Sequence, residues 1–134
     1  AAKETGWGTS RFALEGNALF GQWTWSGEGI KPAAADTNTK HKVMKFKILK
    51  SSVRAYQRNL NTHSGYKKFR MVRADFRDNG QKLDSIILAD YLDKYAANGK
   101  EYIIILKKII KQNNLIDFDD VKLMPSSIQL KSLI

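Results

Sequence analysis

From residue 51 onward, apolar residues return every three or four positions, the spacing of helices that each pack one face against a core. The stripes are Val53, Tyr56 and Leu60; Tyr66, Phe69, Val72 and Phe76; Leu88, Leu92 and Tyr95; then Ile103, Leu106, Ile109 and Ile110. This predicts a helix capped by Ser51, then helices over 64–79, 83–95 and about 100–113, with Gly80 after the second and Gly99 separating the last two. Ahead of them the pattern changes. Residues 41–48 alternate, Met44, Phe46 and Ile48 facing one way and Lys45 and Lys47 the other, which predicts a strand with one wet face. Residues 1–5 read as the last turn of a helix, broken by Gly6 and Gly8. Thr9 or Ser10 can cap a short turn over 11–15 that Gly16 ends, and residues 26–40 form a long loop by composition. The expected architecture is mainly α, of the α+β class: four or five helices, one small strand-bearing lobe near residues 24–48, and room for a cleft.

The chain opens at Ala1-Ala2-Lys3-Glu4 with no initiator Met, apolar signal region or cleavage pattern, so it reads as part of a longer protein whose N-terminal portion is missing. Its 134 residues suit one domain, expected over 1–115, with 116–134 as a C-terminal tail. In that tail Ile128, Leu130, Leu133 and Ile134 either pack back on the body or stay loose. No uncharged apolar run approaches the ~20 residues that cross a bilayer. The densest, Ile103 to Leu106, is closed by Lys107 and Lys108. There are no cysteines, which excludes a disulfide scaffold, a thiolate zinc site and a cysteine nucleophile. With only His41 and His63 besides, neither a metal nor a cofactor is expected.

The formal net charge is +10, and all of the excess lies in residues 41–82, where Asp75 and Asp78 are the only acids. Such a patch favours a polyanion: nucleic acid, lipid headgroups or an anionic cell-wall polymer. No helix-turn-helix, zinc-finger or RNA-recognition signature supports a specific nucleic-acid reader, although a basic nucleic-acid-binding module remains the alternative on charge alone.

The densest chemistry is Glu4-Thr5-Gly6-Trp7-Gly8-Thr9-Ser10-Arg11-Phe12, followed by Gly16-Asn17-Ala18-Leu19-Phe20-Gly21-Gln22-Trp23. An aromatic wall such as Trp7 removes water from a carboxyl and raises its pKa. A Glu held partly protonated near neutral pH can then donate a proton to a departing sugar oxygen. The plainer alternative makes Glu4 a solvated helix-end charge and Trp7 a core anchor.

These two stretches closely resemble the bacterial endo-β-N-acetylglucosaminidases of glycoside hydrolase family 73, the flagellar-rod muramidase-like enzymes, and most narrowly their Bax-type branch. Matches continue in order through Lys45-Phe46, Ser52-Val53-Arg54-Ala55-Tyr56, Asn59 to His63, Tyr66, Tyr95-Ala96, Glu101-Tyr102 and Asn113-Asn114-Leu115. Ala18 departs from the pattern, standing where many relatives have a second Asn. The resemblance implies a lysozyme-like fold with a small β-lobe, and peptidoglycan glycan strands cleaved after N-acetylglucosamine in the cell envelope, periplasm or wall. It puts Glu4 on the general acid and Tyr95 on the active-site tyrosine. The second carboxylate is expected in the lobe at Glu28 or Asp36, or its role falls to the substrate's own N-acetyl group. Trp23 and Trp25 are expected to stack on sugar rings, and Asn17 to bind substrate, while Trp7 and Phe20 are expected to be structural. Anionic wall polymer is the expected second partner, held by Lys67, Lys68, Arg70 and Arg73. An inactive wall-binding domain is the other alternative.

Overall fold

The computed structural model describes residues 1–33 and 40–122. The chain divides into two compact units, Ala1–Arg70 and Met71–Ile134.

The first unit begins with two short helices, α1 (Ala2–Thr5) and α2 (Arg11–Gly16). Ser10 caps α2, its hydroxyl accepting from the Ala13 amide at 3.3 Å, and Asn17 ends it in the left-handed conformation. A three-stranded antiparallel sheet follows: β1 (Trp23–Thr24), β2 (Gly29–Ile30) and β3 (Lys42–Met44), in the order β1-β3-β2. Val43 pairs with Trp23 on one side and Ile30 on the other, and is buried. The strand expected over 41–48 is thus shorter than its alternation suggested. β1 and β2 supply only two residues each, and beyond them the Phe46 amide turns to the Gly16 carbonyl at 2.8 Å.

Helix α3 (Leu49–Thr62) starts two residues before the expected Ser51 cap. Ile48 is the N-cap, in extended conformation and without a side-chain hydrogen bond. A 3-10 turn at Ser64–Tyr66 then leads into α4 (Lys67–Asp78). The Arg70 guanidinium donates to the carbonyls of Leu60 and His63 at 3.0 and 2.8 Å, which fixes the α3–α4 corner. Ala13, Ala18, Val43, Leu60, Tyr66 and Phe69 form this unit's core.

The second unit holds α5 (Ser85–Ala89), a 3-10 turn at Asp93–Tyr95, α6 (Gly99–Gln112) and a 3-10 turn at Leu115–Phe118. The helix expected over 83–95 is corrected to these two pieces. Past Ala89 the amides of Asp90, Tyr91, Leu92 and Tyr95 reach back three residues rather than four. Gly99 is not a separator but the first residue of α6, whose N-cap Asn98 accepts from the Glu101 amide. Leu88, Ala89, Leu92, Tyr102 and Ile110 are buried here. The Ser85 amide donates to Asp119 at 2.9 Å and Lys82 pairs with Asp120 at 2.6 Å, so the start of the expected tail is tied in. Ile128, Leu130, Leu133 and Ile134 lie outside the described residues. No helix among the described residues is long and apolar enough to cross a membrane.

Candidate active site

Glu4 sits on the single turn of α1, partly buried, immediately before an unusual reversal. Gly6, Trp7 and Gly8 are all left-handed, with φ of 54°, 60° and 85°. Glycine adopts this region freely, whereas a side-chain-bearing residue there costs roughly 1 kcal/mol. Thr5, 2% exposed, holds the turn closed. Its hydroxyl donates to the Ala1 carbonyl and accepts from the Gly8 amide, both at 2.9 Å. The Thr9 hydroxyl adds a bond to the Gly6 carbonyl at 2.7 Å. The reversal turns Trp7 outward, 67% exposed. Trp7 is therefore not the core anchor that its residue type suggested.

The segment after α2 is brought close to Glu4, and α3 packs against that segment. A Cβ placed on Gly21 (φ 56°) would stand 3.3 Å from the Glu4 Oε2, so a bare Cα at this position lets the carboxylate approach the chain. The preceding Phe20 lies flat on Tyr56 of α3, ring centroids 4.0 Å apart and planes 3° from parallel. The fully buried Ser52, one turn earlier on α3, accepts from the Leu19 amide at 3.1 Å and ties the same segment to the helix.

Two phenols lie in the field of the Glu4 charge. Burial pushes Tyr56 up to about 12, and the neighbouring Tyr66 and Glu4 add to that shift. Burial also raises Tyr66; a hydrogen bond from the Asn59 side chain opposes the rise and Glu4 reinforces it. Both phenols therefore keep their protons at neutral pH. Among the residues quoted for the resemblance, Tyr56, Asn59 and Tyr66 carry no assigned role, because their helical spacing is equally that of a core stripe. The signal that marks them is polarity: two hydroxyls and an amide among inward positions, where aliphatic side chains would do for packing alone.

The lobe presents exposed rings. Trp23 is 46% exposed and Trp25 74%. Both lean on His41, Trp23 edge-on at 4.3 Å and Trp25 tilted at 6.4 Å. Glu28 is exposed in the β1–β2 connection, between Gly27 and Gly29. Asp36 lies outside the described residues. Asn17 uses its amide on backbone, donating to the carbonyls of Phe46 and Lys47 at 3.1 and 3.3 Å, which pins the end of α2 to the stretch after β3. In the second unit, Tyr95 stacks on the buried Tyr102 at 5.3 Å with planes 18° apart, which holds its ring in one orientation. Among the described residues, no group of three or more His, Cys, Asp or Glu side chains is arranged to hold a metal ion.

A mainly helical α+β chain with a small three-stranded antiparallel sheet places the protein in the lysozyme-like class. The chain belongs to the glucosaminidase family: residues 1–115 match the family model described as mannosyl-glycoprotein endo-beta-N-acetylglucosaminidase. Within that family it falls with the Bax-type branch, being 39% identical over 105 residues to Protein bax of Escherichia coli (strain K12). That match covers 76% of this chain and 36% of the relative, so the chain spans little more than a third of that protein's length. No solved structure matches the chain.

Proposed function

We propose that this domain is a peptidoglycan hydrolase of the cell envelope that cleaves the glycan strand after N-acetylglucosamine, with Glu4 as general acid. The observation that carries this reading is the approach of the Glu4 carboxylate to Gly21, beside the Phe20–Tyr56 stack. Membership of the glucosaminidase family supports the substrate class.

Glycosidic cleavage needs a proton on the leaving oxygen as the bond breaks and positive charge grows on the sugar ring. Glu4 supplies the proton. Tyr56 and Tyr66, uncharged at neutral pH, add no second negative charge beside the carboxylate. Glu28, on its glycine-flanked connection, takes the role of second carboxylate. Trp23 and Trp25 offer flat faces to sugar rings, and Tyr95, carried over by resemblance, is the active-site tyrosine.

Glu4→Gln keeps the shape of the side chain and loses the transferable proton. It is expected to slow turbidity loss of purified cell walls by on the order of 100-fold or more, the usual size of acid catalysis, while wall binding persists. Fragments released by the parent protein carry N-acetylglucosamine at their new reducing ends, read by borohydride reduction and mass spectrometry. Muramic acid at those ends overturns the bond specificity, and an undiminished rate in Glu4→Gln overturns the acid. A parent protein that binds walls without hydrolysing them makes this a wall-binding domain. Full activity in Glu28→Gln moves the second role to the substrate's N-acetyl group or to Asp36.

A further inference from the structure

We infer that His41 is a positioning residue that braces Trp23 and Trp25 into one glycan-binding platform. The inference rests on the proposal that these indoles meet sugar rings, and it adds what holds them in place. β1 is only two residues long, and Trp25 lies beyond its end. An exposed indole on so short a strand has rotamers to lose, and ordering it on binding costs affinity. The sheet supplies the missing support. β3 is its central strand, with Val43 paired to Trp23 and Lys42 paired to Thr24. One further step of this antiparallel register brings His41 opposite Trp25. Residues two apart on a strand share a face, as do residues paired across strands, so Trp23, Trp25 and His41 lie on the same side of the sheet.

The ring contacts follow that register. His41 meets Trp23 with planes 82° apart and centroids at 4.3 Å, and Trp25 with planes 50° apart and centroids at 6.4 Å. Edge-to-face and tilted pairs of this kind are the arrangements that aromatic rings prefer. His41 is half-buried while both indoles stay exposed, so the brace leaves indole surface open to a ligand. An imidazole suits the position, because it offers a flat ring to the indoles and its nitrogens are at home beside water. The backbone at Trp25 is fixed separately. The buried Thr24 hydroxyl donates to the Ser26 carbonyl and accepts from the Ser26 amide at 3.3 Å, closing the turn on the far side of Trp25. What remains to be held is the Trp25 side chain, and His41 is the ring that stands against it.

The test has two arms. The first needs no sugar. The chain has three tryptophans, so its nitrogen-15 spectrum carries three indole N–H signals, and their order parameters report how firmly each ring is held. His41→Ala is expected to lower the order of Trp23 and Trp25 and to leave Trp7 as it was. His41→Phe, which keeps a ring, is expected to restore both. Unchanged order in His41→Ala overturns the brace. The second arm measures affinity for soluble peptidoglycan glycan strands by calorimetry, in Glu4→Gln so that nothing is cleaved. His41→Ala is expected to weaken binding by on the order of 10-fold, the size set by two side chains that must now be ordered by the ligand. With Glu4 intact, it is expected to raise KM similarly and to change kcat less than about twofold, and His41→Phe is expected to recover most of the loss. A His41→Phe variant with ordered indoles that binds as weakly as His41→Ala overturns the brace in favour of direct contact between the imidazole and the sugar. A fall in kcat with KM unchanged overturns it in favour of a part in the chemistry. His41→Gln repeats both arms should His41→Ala fail to fold, with circular dichroism melts as the check. Because order and affinity are read without hydrolysis, a parent protein that binds glycan and never cleaves it overturns the hydrolase reading and leaves the brace standing.

Discussion

At the scale of single residues, the acid's surroundings differ from the expected ones in an instructive way. Sequence proximity pointed to Trp7 as the desolvating wall, but two left-handed glycines swing that ring into solvent. The Gly21 backbone that the Glu4 carboxylate approaches lies well along the chain, and no local pattern encodes that approach. Gly21→Ala tests it directly. The added methyl would meet Oε2 at 3.3 Å on a backbone with φ of 56°. The expected cost is roughly 1 kcal/mol in stability, with a loss of wall hydrolysis disproportionate to it because the carboxylate is displaced. Tyr56 makes a pH prediction. Below its ordinary value of 10.0, the folded and unfolded chains both hold the phenolic proton. Between 10.0 and about 12 the unfolded chain releases it while the folded chain keeps it, so stability falls as pH rises through this window. The full loss approaches about 3 kcal/mol, and Tyr56→Phe is expected to flatten this alkaline limb in denaturant titrations run at a series of pH values.

At the scale of elements, periodicity located α3, α4 and α6 but not all of their ends. Ser51 looked like a cap because serine favours that role, yet Leu49 and Lys50 join the helix once Ile48 adopts an extended conformation. The apolar positions Leu88, Leu92 and Tyr95 fit one continuous helix, but the backbone tightens to three-residue bonds after Ala89, a change that side-chain spacing does not register. The short α1 and α2 were legible because their glycine and serine punctuation is local chemistry. Glu4 stands out in the sequence by its chemistry and by the resemblance, and Trp23 and Trp25 by their aromatic type, whereas the proximity of Gly21 and Tyr66 to Glu4 required the folded chain. For α1 the decisive side chain is Thr5, whose buried hydroxyl bridges the helix and the turn after it. Thr5→Val keeps the shape and leaves the Gly8 amide without that acceptor. A loss of about 1–3 kcal/mol is expected, visible as a lower Tm.

At the scale of the whole molecule, the dominant property is the uneven charge, net +10 with the excess confined to residues 41–82. Lys67 and Lys68, exposed at the start of α4, remain available for anionic wall polymer after Arg70 is spent on backbone. Changing both to Gln is expected to weaken binding to insoluble walls at low ionic strength. At ~1 M salt, where screening shortens to about 3 Å, the difference from the parent is expected to vanish. The three tryptophans set another property of the molecule as a whole. Trp7, Trp23 and Trp25 are 67%, 46% and 74% exposed, so each indole already meets water in the native state. Their fluorescence therefore emits at long wavelength before any denaturant is added, and unfolding changes its colour little. Emission is a poor reporter of folding in this protein. It is a sensitive reporter of a sugar ring or an acyl chain that covers an indole, because either one displaces water and shifts the band to the blue.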